Sequence, residues 1–258
     1  MPTNYNRTFF AEQREQGLRS ARVVAPVIVD MLRPRSVVDV GCGVGAWITA
    51  FKECGVSDIL GIDGGWASGF HDLESHEFLQ HDLSTSIELD RRFDLVVCLE
   101  VAEHLESRCA PDFIKSLARL GDTVLFSAAV PLQGGTLHLN EQWPDYWAAL
   151  FEQQGYRAID AVRPRIWNDQ TVDWWYAQNA LLFVRSTHDV SALGLSECRT
   201  VEQLARFRVV HPRHYLEKAR IANIGLKEAL AMIPVLTKDA LARRVFRLRQ
   251  TFSRPTRA

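Results

Sequence analysis

Residues 36–46 are Ser-Val-Val-Asp-Val-Gly-Cys-Gly-Val-Gly-Ala, a short β-branched run followed by glycines at alternate positions. An apolar run without polar alternation is typical of a central parallel strand that is covered on both faces. Gly41, Gly43 and Gly45 have no Cβ atom, so the backbone can turn sharply there and a ligand can approach it closely. A helix that begins at Ala46 offers free N–H groups next to this turn. The stretch therefore predicts a strand, a turn that seats a nucleotide or nucleoside, and a helix.

An alternation of strands and helices continues on both sides of this stretch. The helical spacing of apolar residues predicts a helix over Gly17–Leu32, before the first strand. Later strands are predicted at Ile59–Asp63, Glu77–His81, Phe93–Leu99 and Thr123–Ala129, and later helices at Ala46–Cys54, Ala102–Leu105, Ala110–Leu120 and Trp143–Gln153. This alternation predicts an α/β fold with a doubly wound, mostly parallel sheet.

The pattern changes after Gly155. Strands are predicted at Tyr156–Val162 and Ala180–Arg185, joined by a long aromatic loop without helical period, so the seven-stranded sheet should end in an antiparallel hairpin. Beyond them, a C-terminal helical extension is predicted, with helices at Val201–Arg208, Pro212–Met232 and Lys238–Thr251. We therefore expect residues 1–190 to form the main domain, and residues 191–258 to form a basic helical extension.

The composition is that of an ordinary globular protein, with 258 residues, of which 47% are hydrophobic and 24% are charged. No apolar run is long enough to span a membrane and the start does not resemble a signal peptide, which predicts a soluble, cytoplasmic protein. The five cysteines are scattered without a C-x-x-C pair. We therefore expect neither disulfides nor a zinc knuckle.

The net charge of −1 conceals an asymmetry between the two parts of the chain. Residues 199–258 carry 14 Lys and Arg against 4 Asp and Glu, whereas residues 1–198 carry 16 against 27. A basic tail of this kind either folds back as a solvated face on the acidic body or docks on a membrane surface, a nucleic acid or an acidic partner.

Three acids lie in, at the end of or just after the first three predicted strands. Asp63 ends the second strand, where a carboxylate can accept both hydroxyl protons of a ribose, and Asp82 in His81-Asp-Leu83 suits an adenine amino group. Asp39 can hold the ammonium end of a methionine moiety, directly or through water. The glycine turn alone is also found in dinucleotide-binding folds, but its third glycine falls one position early for them. Trp47 and Trp66 either flank an adenine or pack in the core.

A second group of polar residues comes just past the fourth strand, in Phe93-Asp-Leu-Val-Val-Cys-Leu-Glu-Val-Ala-Glu-His-Leu105. If a helix begins near Glu100, spacings of three and four residues set Glu100, Glu103 and His104 on one face. A histidine beside carboxylates suits a general base that takes the proton from an acceptor oxygen or nitrogen. The alternative is that Glu103 only caps or hydrogen-bonds its own helix.

The segment Pro131–Trp147 follows the fifth strand, which we expect to border the crevice at the switch of strand order. Gly134 and Gly135 allow a tight loop there. Polar groups and flat apolar faces follow it, a mixture typical of sites that recognise a sugar or another polar ring: His138, Asn140, Glu141, Gln142, Trp143, Tyr146 and Trp147. A second aromatic cluster in the later loop, which includes Trp175, could roof the same pocket.

The order of these motifs is D-x-G-x-G-x-G, an acid that ends the second strand, D-L, and F-D-L-V-x-x-x-E-V-x-E-H-L. Over residues 36–185 it resembles class I, Rossmann-like, S-adenosylmethionine-dependent methyltransferases. The resemblance implies that S-adenosylmethionine is the cofactor, bound by Asp39, Gly41, Gly43, Gly45, Asp63, Asp82, Leu83 and Glu100. A Rossmann dehydrogenase is the competing enzyme class.

The E-x-x-E-H motif at Glu100–His104 also resembles small-RNA 3′-terminal ribose methyltransferases and ubiquinone-pathway O-methyltransferases. That resemblance implies that Glu100, Glu103, His104 and a later histidine, here His138, could hold Mg²⁺, Mn²⁺ or Zn²⁺. The alternative is metal-free general base catalysis by His104 or His138. The chain lacks the Arg/Lys-rich loop and the extended platform of the RNA enzymes, which disfavours an RNA acceptor.

Further segments, among them F-S-A-A-V-P-L-Q-G-G, H-L-N-E-Q-W-P-D-Y-W and V-H-P-R-H-Y-L, are similar to bacterial methyltransferases that occur with glycan-building enzymes. This similarity implies methylation of a hydroxyl or amine of a sugar or related small polar acceptor. His104, His138 and Glu103 would then be catalytic, and the acceptor would be bound by Asn140, Glu141, Trp143, Tyr146 and Trp175. An RNA or protein methyltransferase and a non-catalytic cofactor-binding scaffold are the other two classes.

Overall fold

The computed structural model of the protein describes residues 7–65, 71, 73–188, 206–222, 225, 230 and 237. The strands are β1 (Ser36–Val40), β2 (Asp58–Asp63), β3 (Phe78–Gln80), β4 (Leu95–Leu99), β5 (Thr123–Ser127), β6 (Tyr156–Ile159) and β7 (Leu181–Arg185). The α-helices are α1 (Arg7–Leu32), α2 (Ala46–Glu53), α3 (Ala110–Leu120), α4 (Pro144–Gln153), α5 (Arg163–Ile166), α6 (Trp174–Asn179) and α7 (Pro212–Ala222), with short 3₁₀ helices at Ala102–His104 and Ser107–Cys109.

The seven strands form one sheet in the order β3-β2-β1-β4-β5-β7-β6. Its first five strands pair in parallel, whereas β7 runs antiparallel to both β5 and β6. The predicted α/β class with a mostly parallel sheet and a terminal antiparallel hairpin is confirmed. Several strands are shorter than predicted, and β6 ends at Ile159 rather than at Val162.

The strand order reverses between β1 and β4, which pair in parallel at the centre of the sheet. All residues of both strands are buried, as the apolar runs in the sequence predict. In doubly wound sheets the ligand crevice opens at the carboxyl ends of the strands that flank this reversal. The reversal was predicted next to β5, and this prediction was wrong by one strand, because β5 is the outer neighbour of β4.

Helices cover both faces of the sheet. On one face α3 and α4 bury Ile114, Leu117 and Phe151, and on the other α1 and α2 bury Ile28 and Phe51. Complete burial of such a side chain stabilises the fold by about 1.5–3 kcal/mol relative to leaving it exposed. Both layers therefore support the sheet and fix the edge at which the ligand crevice opens.

The segment between β6 and β7 is helical in two places, so the prediction of a long loop was wrong there. Helix α5 has four residues and α6 has six, which is too short for a 3.6-residue period to show in the sequence. Contacts distant in sequence stabilise α6 instead. The carboxylate of Asp173, at its start, accepts hydrogen bonds from Ser20 and Arg19 of α1.

The C-terminal segment packs on the main domain over residues 206–222. Arg163 donates to the Phe207 carbonyl (2.9 Å), and the guanidinium of Arg208 donates to both oxygens of Asp145 (2.8 and 2.6 Å). The predicted helix Pro212–Met232 is present over Pro212–Ala222. Residues 206–208 are turn and coil rather than helix, and the remaining predicted helical residues of the extension lie outside the described ones. Among the residues described, no helix is both long enough and apolar enough to span a membrane.

Candidate functional site

The turn after β1 brings the chain against the segment that follows β4. Gly41, Gly43 and Gly45 have φ angles of 83°, 52° and 81°, in the left-handed region that glycine adopts without strain. A Cβ atom on Gly41 would overlap the side chain of Val101. The glycines therefore provide both the turn and the close approach of two loops at the reversal of strand order.

Asp63 joins this turn to the end of β2. Its Oδ2 accepts the N–H of Gly43 (2.7 Å) and its Oδ1 accepts the N–H of Gly64 (2.6 Å). The residue is buried, and each carboxylate oxygen has more than one acceptor position. Asp63 thus lies where the sequence analysis predicted, beside the glycine turn, with capacity for further donors such as ribose hydroxyls.

Asp39 is a buried residue with one carboxylate oxygen that lacks a hydrogen-bond partner among the described residues. The residue is 2% exposed, and this oxygen is its Oδ2. Burial, and to a lesser extent the nearby charge of Asp63, raise the pKa of Asp39 to about 8. A buried acid of this kind is stabilised by a cation. The ammonium group of a methionine moiety therefore fits the residues at this position.

Asp82 and Leu83 follow β3, as predicted. His81 donates its N–H to the carbonyl of Asp63 (2.8 Å), which brings this segment to the same edge of the sheet. The Oδ1 of the exposed Asp82 accepts the N–H (2.9 Å) and the hydroxyl (2.7 Å) of Ser84 in a local turn. Trp47 is buried against Tyr176, with ring centroids 5.1 Å apart, which supports core packing, and Trp66 lies outside the described residues.

Glu100 does not begin a helix. Its φ angle is +56°, and the turn that follows is the short 3₁₀ helix Ala102–His104, so the predicted single helical face for Glu100, Glu103 and His104 was wrong. The carboxylate of Glu100 accepts hydrogen bonds from Gln133 Nε2 (2.7 Å) and Asn179 Nδ2 (3.1 Å). Burial raises the pKa of Glu100, and these hydrogen bonds oppose the rise.

Glu103, His104 and His138 come together as a separate cluster. One ligand atom from each lies within 4.8 Å of the others, and the rings of His104 and His138 meet edge to face with centroids 4.9 Å apart. Glu103 is completely buried, and neither of its carboxylate oxygens has a hydrogen-bond partner among the described residues. Burial, and then the charge of Glu100, raise the pKa of Glu103 well above its ordinary range. The cluster can accept a proton or a cation.

His104 is suited to the neutral form, and the contacts of His138 indicate which of its ring nitrogens carries a proton. His104 retains exposed surface, yet burial of its ring and the proximity of His138 lower its pKa to about 4. The Nδ1 of His138 faces Oε1 of Glu141 at 2.9 Å. Since a carboxylate can only accept, we infer that Nδ1 carries the proton and that Nε2 is a free acceptor.

The loop that carries His138 is organised by Glu141. Its Oε2 accepts the N–H of Leu132 (2.9 Å) and its Oε1 accepts the N–H of Gly134 (2.8 Å). The loop is strained, because Leu132 and Leu137 have φ angles of 69° and 63°. Glu141, which the sequence analysis predicted to bind the acceptor, therefore uses its carboxylate within the loop.

Asn140 connects this loop to Glu103. The N–H groups of Leu139 (2.7 Å) and Asn140 (3.0 Å) both donate to the carbonyl of Glu103. Asn140 is buried, and its Nδ2 has no hydrogen-bond partner among the described residues. Its side chain is thus available for an acceptor group.

The predicted aromatic residues divide between core and surface. Trp147 is buried in the core, whereas Trp143 and Tyr146 are partly exposed, and Tyr146 meets Trp147 edge to face with centroids 4.9 Å apart. Trp175 is partly exposed beside Trp174, with centroids 5.4 Å apart. Partly exposed rings are therefore present both on the His138 segment and on α6.

Gln133 and Asn179 were missed by the sequence analysis. They lie 46 positions apart and meet only in the fold, where Asn179 Nδ2 also donates to Gln133 Oε1 (2.9 Å). The one signal in the sequence is an amide residue at the end of a segment that is otherwise apolar, which is too common to identify a functional position.

Comparisons with known proteins identify the relatives of this fold. A family model described as a methyltransferase domain matches residues 10–179. The solved sugar N-methyltransferase KedS8 from Streptoalloteichus is 16% identical, with a TM-score of 0.56 over 70% of this chain and 93% of that one. DesVI from Streptomyces venezuelae is 14% identical, with a TM-score of 0.52 over 69% and 96%. Human N-acetylserotonin methyltransferase, solved with S-adenosylmethionine, is 16% identical, with a TM-score of 0.51 over 70% and 56%. A search of curated proteins finds no match.

Proposed function

The chain belongs to the methyltransferase domain family, and on that premise we propose that it methylates a hydroxyl or amine of a small polar acceptor, such as a sugar or glycan intermediate. The enzyme is an S-adenosylmethionine-dependent methyltransferase with the class I fold. The observation on which the proposal depends is the cluster of Glu103, His104 and His138 next to the reversal of strand order.

On the cofactor side, the chain offers one group for each part of the donor. Asp39, whose buried Oδ2 has no hydrogen-bond partner among the described residues, suits the ammonium group, and Asp63 suits the ribose hydroxyls. The glycine turn at Gly41–Gly45 gives close backbone approach, with Asp82 and Leu83 for the adenine. When bound, S-adenosylmethionine supplies a methyl group on a positively charged sulfur.

On the acceptor side, we assign the general base to His138. Its Nε2 is free to take a proton from an acceptor hydroxyl, and the carboxylate of Glu141 beside Nδ1 stabilises the imidazolium that forms. His104 is poorly suited to this role, because its pKa is lowered to about 4. We assign to Glu103 and His104 the roles of positioning the acceptor and of stabilising the charge that develops on it.

Three features support a sugar-like acceptor. The unpartnered Nδ2 of Asn140 offers a donor to a hydroxyl group, and the partly exposed rings of Trp143 and Tyr146 offer faces on which a sugar ring packs. The structural relative KedS8 is named as a sugar N-methyltransferase. The acidic main domain disfavours an RNA acceptor, because the phosphates of RNA require basic partners.

The same cluster suits a divalent cation as a second mode of catalysis. Neither oxygen of the buried Glu103 has a hydrogen-bond partner among the described residues, and ligand atoms of Glu103, His104 and His138 lie within 4.8 Å of one another. One carboxylate and two imidazoles are a donor set for Zn²⁺ or Mn²⁺ more than for Mg²⁺. Such an ion would lower the pKa of an acceptor hydroxyl. Glu100 is not one of the three residues of this cluster, and its two oxygens face Gln133 and Asn179.

The proposal is tested with methyl-labelled S-adenosylmethionine and a panel of nucleotide sugars, oligosaccharides, quinone precursors and RNA ends. We expect label on a sugar-type acceptor. His138→Ala should stop turnover and keep cofactor affinity within a few fold, whereas His188→Ala, at an exposed histidine, should change neither. Label on RNA alone would contradict the sugar proposal. Cofactor binding without any transfer would favour the scaffold alternative.

Metal content distinguishes the two modes of catalysis. If the cluster holds a cation, chelator treatment should abolish turnover, and Zn²⁺ should raise the melting temperature of the wild type but not of Glu103→Gln. This variant has the shape of the protonated acid, so the protein should fold without a metal. A rate that chelators leave unchanged would support the metal-free base.

A further inference from the structure

We propose that helix α7 helps to position the carboxylate of Glu100 in the active site. A series of buried amide side chains, each hydrogen-bonded to the next, connects α7 to this carboxylate. The proposal rests on the proposed function and assigns a role to a helix outside residues 10–179, which the family model matches. It makes Gln178, Asn179 and His214 positioning residues.

The series of amide groups begins where α7 meets α6. The backbone N–H of His211 donates to Gln178 Oε1 (2.8 Å), and Nδ1 of His214 lies 3.1 Å from the same oxygen. These contacts require the oxygen of Gln178 to point towards α7. Its Nε2 must then point the other way, where it donates to Asn179 Oδ1 (3.0 Å).

The series ends on Glu100. Because the oxygen of Asn179 is taken by Gln178, its Nδ2 faces Glu100 Oε1 (3.1 Å) and Gln133 Oε1 (2.9 Å). The N–H of Val130 also donates to Gln133 Oε1 (3.2 Å), so Gln133 Nε2 is turned to Glu100 Oε2 (2.7 Å). Both oxygens of Glu100 therefore receive an N–H whose direction is set elsewhere.

Burial makes this series directional. Gln178, Asn179 and His214 are 1%, 3% and 4% exposed, and Gln133 and His211 are buried as well. A side-chain amide that rotated by 180° here could not replace its lost hydrogen bonds with bonds to water. Its N–H₂ group would then face another N–H donor, or its oxygen would face a carboxylate oxygen. The orientation of Gln178 at α7 thus determines which group of Asn179 meets Glu100.

Helix α7 is anchored firmly enough to act as the reference for this series. The ring of His214 stacks on Trp174, with centroids 4.3 Å apart and planes 13° apart, and Arg213 donates to the carbonyl of Val172 (2.6 Å). The Nζ of Lys218 also lies 3.2 Å from the place of a Cβ atom on Gly134, in the loop that carries His138. The helix therefore touches the site from two sides.

The contacts of α7 affect the site through the position of the Glu100 carboxylate. Glu100 follows β4, and its charge is the second cause of the raised pKa of Glu103. A Glu100 carboxylate that lost its amide partners would move relative to both the cofactor turn and the Glu103 cluster. We therefore expect loss of the α7 contacts to weaken cofactor binding without unfolding the protein.

The test uses the full chain and S-adenosylhomocysteine, titrated by calorimetry. His214→Phe keeps an aromatic ring on Trp174 and removes the Nδ1 contact, and Asn179→Asp keeps the shape of the side chain and sets an oxygen against Glu100. We expect about 3- to 10-fold weaker binding for His214→Phe, the range of one hydrogen bond, and a larger loss for Asn179→Asp. The control Tyr215→Ala, 64% exposed on the same helix, should stay within about twofold.

A double-mutant cycle separates transmission through Glu100 from a general effect on the fold. In a Glu100→Gln background, His214→Phe should weaken binding by less than about twofold. The same factor in both backgrounds would overturn the proposal. If His214→Phe does not fold, Gln178→Glu takes its place in the cycle.

Urea unfolding of the ligand-free variants distinguishes failure of this proposal from failure of the proposed function. A wild type that does not bind S-adenosylhomocysteine would contradict the proposed function. Coupling between His214 and Glu100 in the free energy of unfolding would still support the series of amides, and additive effects would overturn it.

Discussion

A Cβ atom on Gly135 would overlap the imidazole ring of His138, so the ring keeps its place only because residue 135 has no side chain. Gly135→Ala must therefore displace the ring or the loop. We expect methyl transfer to fall at least about tenfold, the scale of a misplaced catalytic group, with cofactor affinity within about twofold. Steady-state rates and calorimetry measure the two effects.

The control for this prediction is Gly55→Ala. Gly55 also has a positive φ angle (90°), but a Cβ atom there would meet nothing within 4 Å. That variant bears only the backbone strain of about 1–2 kcal/mol. Equal loss of activity in both variants would mean that strain, and not displacement of His138, is the cause.

The stability of the ligand-free protein should depend on pH through Asp39. Its pKa is about 8 in the fold, above the ordinary value of an unfolded aspartate, so between about pH 4 and pH 8 the folded state holds a proton that the unfolded state has lost. This contribution therefore decreases the free energy of unfolding as pH rises through that window. As the pH rises through this window, the free energy of unfolding of Asp39→Asn should increase relative to that of the wild type, by at most about 1.4 kcal/mol per pH unit.

Urea unfolding at pH 5, 6, 7 and 8 measures the difference between the two proteins. The control is Asp90→Asn, at an exposed aspartate, whose difference from wild type should not change over this range. A constant difference for Asp39→Asn would show that Asp39 is ionised in the fold and has a partner.

Cofactor binding should release a proton from Asp39 at pH 7. The carboxyl is mostly protonated below its pKa of about 8, and a bound ammonium group lowers that pKa. Calorimetry with S-adenosylhomocysteine in buffers of different ionisation enthalpy should give a release of nearly one proton. Asp39→Asn should release none, and a wild type that releases none would place the ammonium group away from Asp39.

The glycine turn and the acids beside it could be predicted because short stretches of sequence specify them. A β-branched run, three glycines and an acid at the next strand end are each specified within a few residues, and Asp39, Gly41 and Asp63 lie together as expected. The position of Glu100 was not predictable in this way. Its left-handed backbone and its two amide partners depend on Gln133 and Asn179, which only the fold brings to it.

The helix α6 illustrates the same limit for secondary structure. Six residues cannot show a helical period, and α6 is stabilised by the contacts of Asp173 with α1, more than 150 positions away in the chain. Local preference therefore indicated a loop, and tertiary contacts override that preference. The amide groups that connect α7 to Glu100 include Gln178 and Asn179 of this helix, so neither the helix nor the connection was predicted from the sequence.

Glu141 gives a prediction that separates two roles for one carboxylate. It accepts from the N–H groups of Leu132 and Gly134 and faces Nδ1 of His138, so it serves three donors. Glu141→Gln has a single acceptor oxygen and would set its own N–H₂ group against one of these donors. If Glu141 organises the loop, hydrogen exchange at Leu132 and Gly134 should accelerate without any acceptor present, while cofactor affinity stays within about twofold.

The alternative role, direct binding of the acceptor, predicts a different result for the same variant. Exchange in the ligand-free protein would then match wild type, and only the KM for the acceptor would rise. Glu152→Gln, at an exposed position on α4, is the control and should leave both quantities unchanged. We expect the first result, because all three contacts of Glu141 lie within the loop that holds His138, and a looser loop lowers kcat by moving the base.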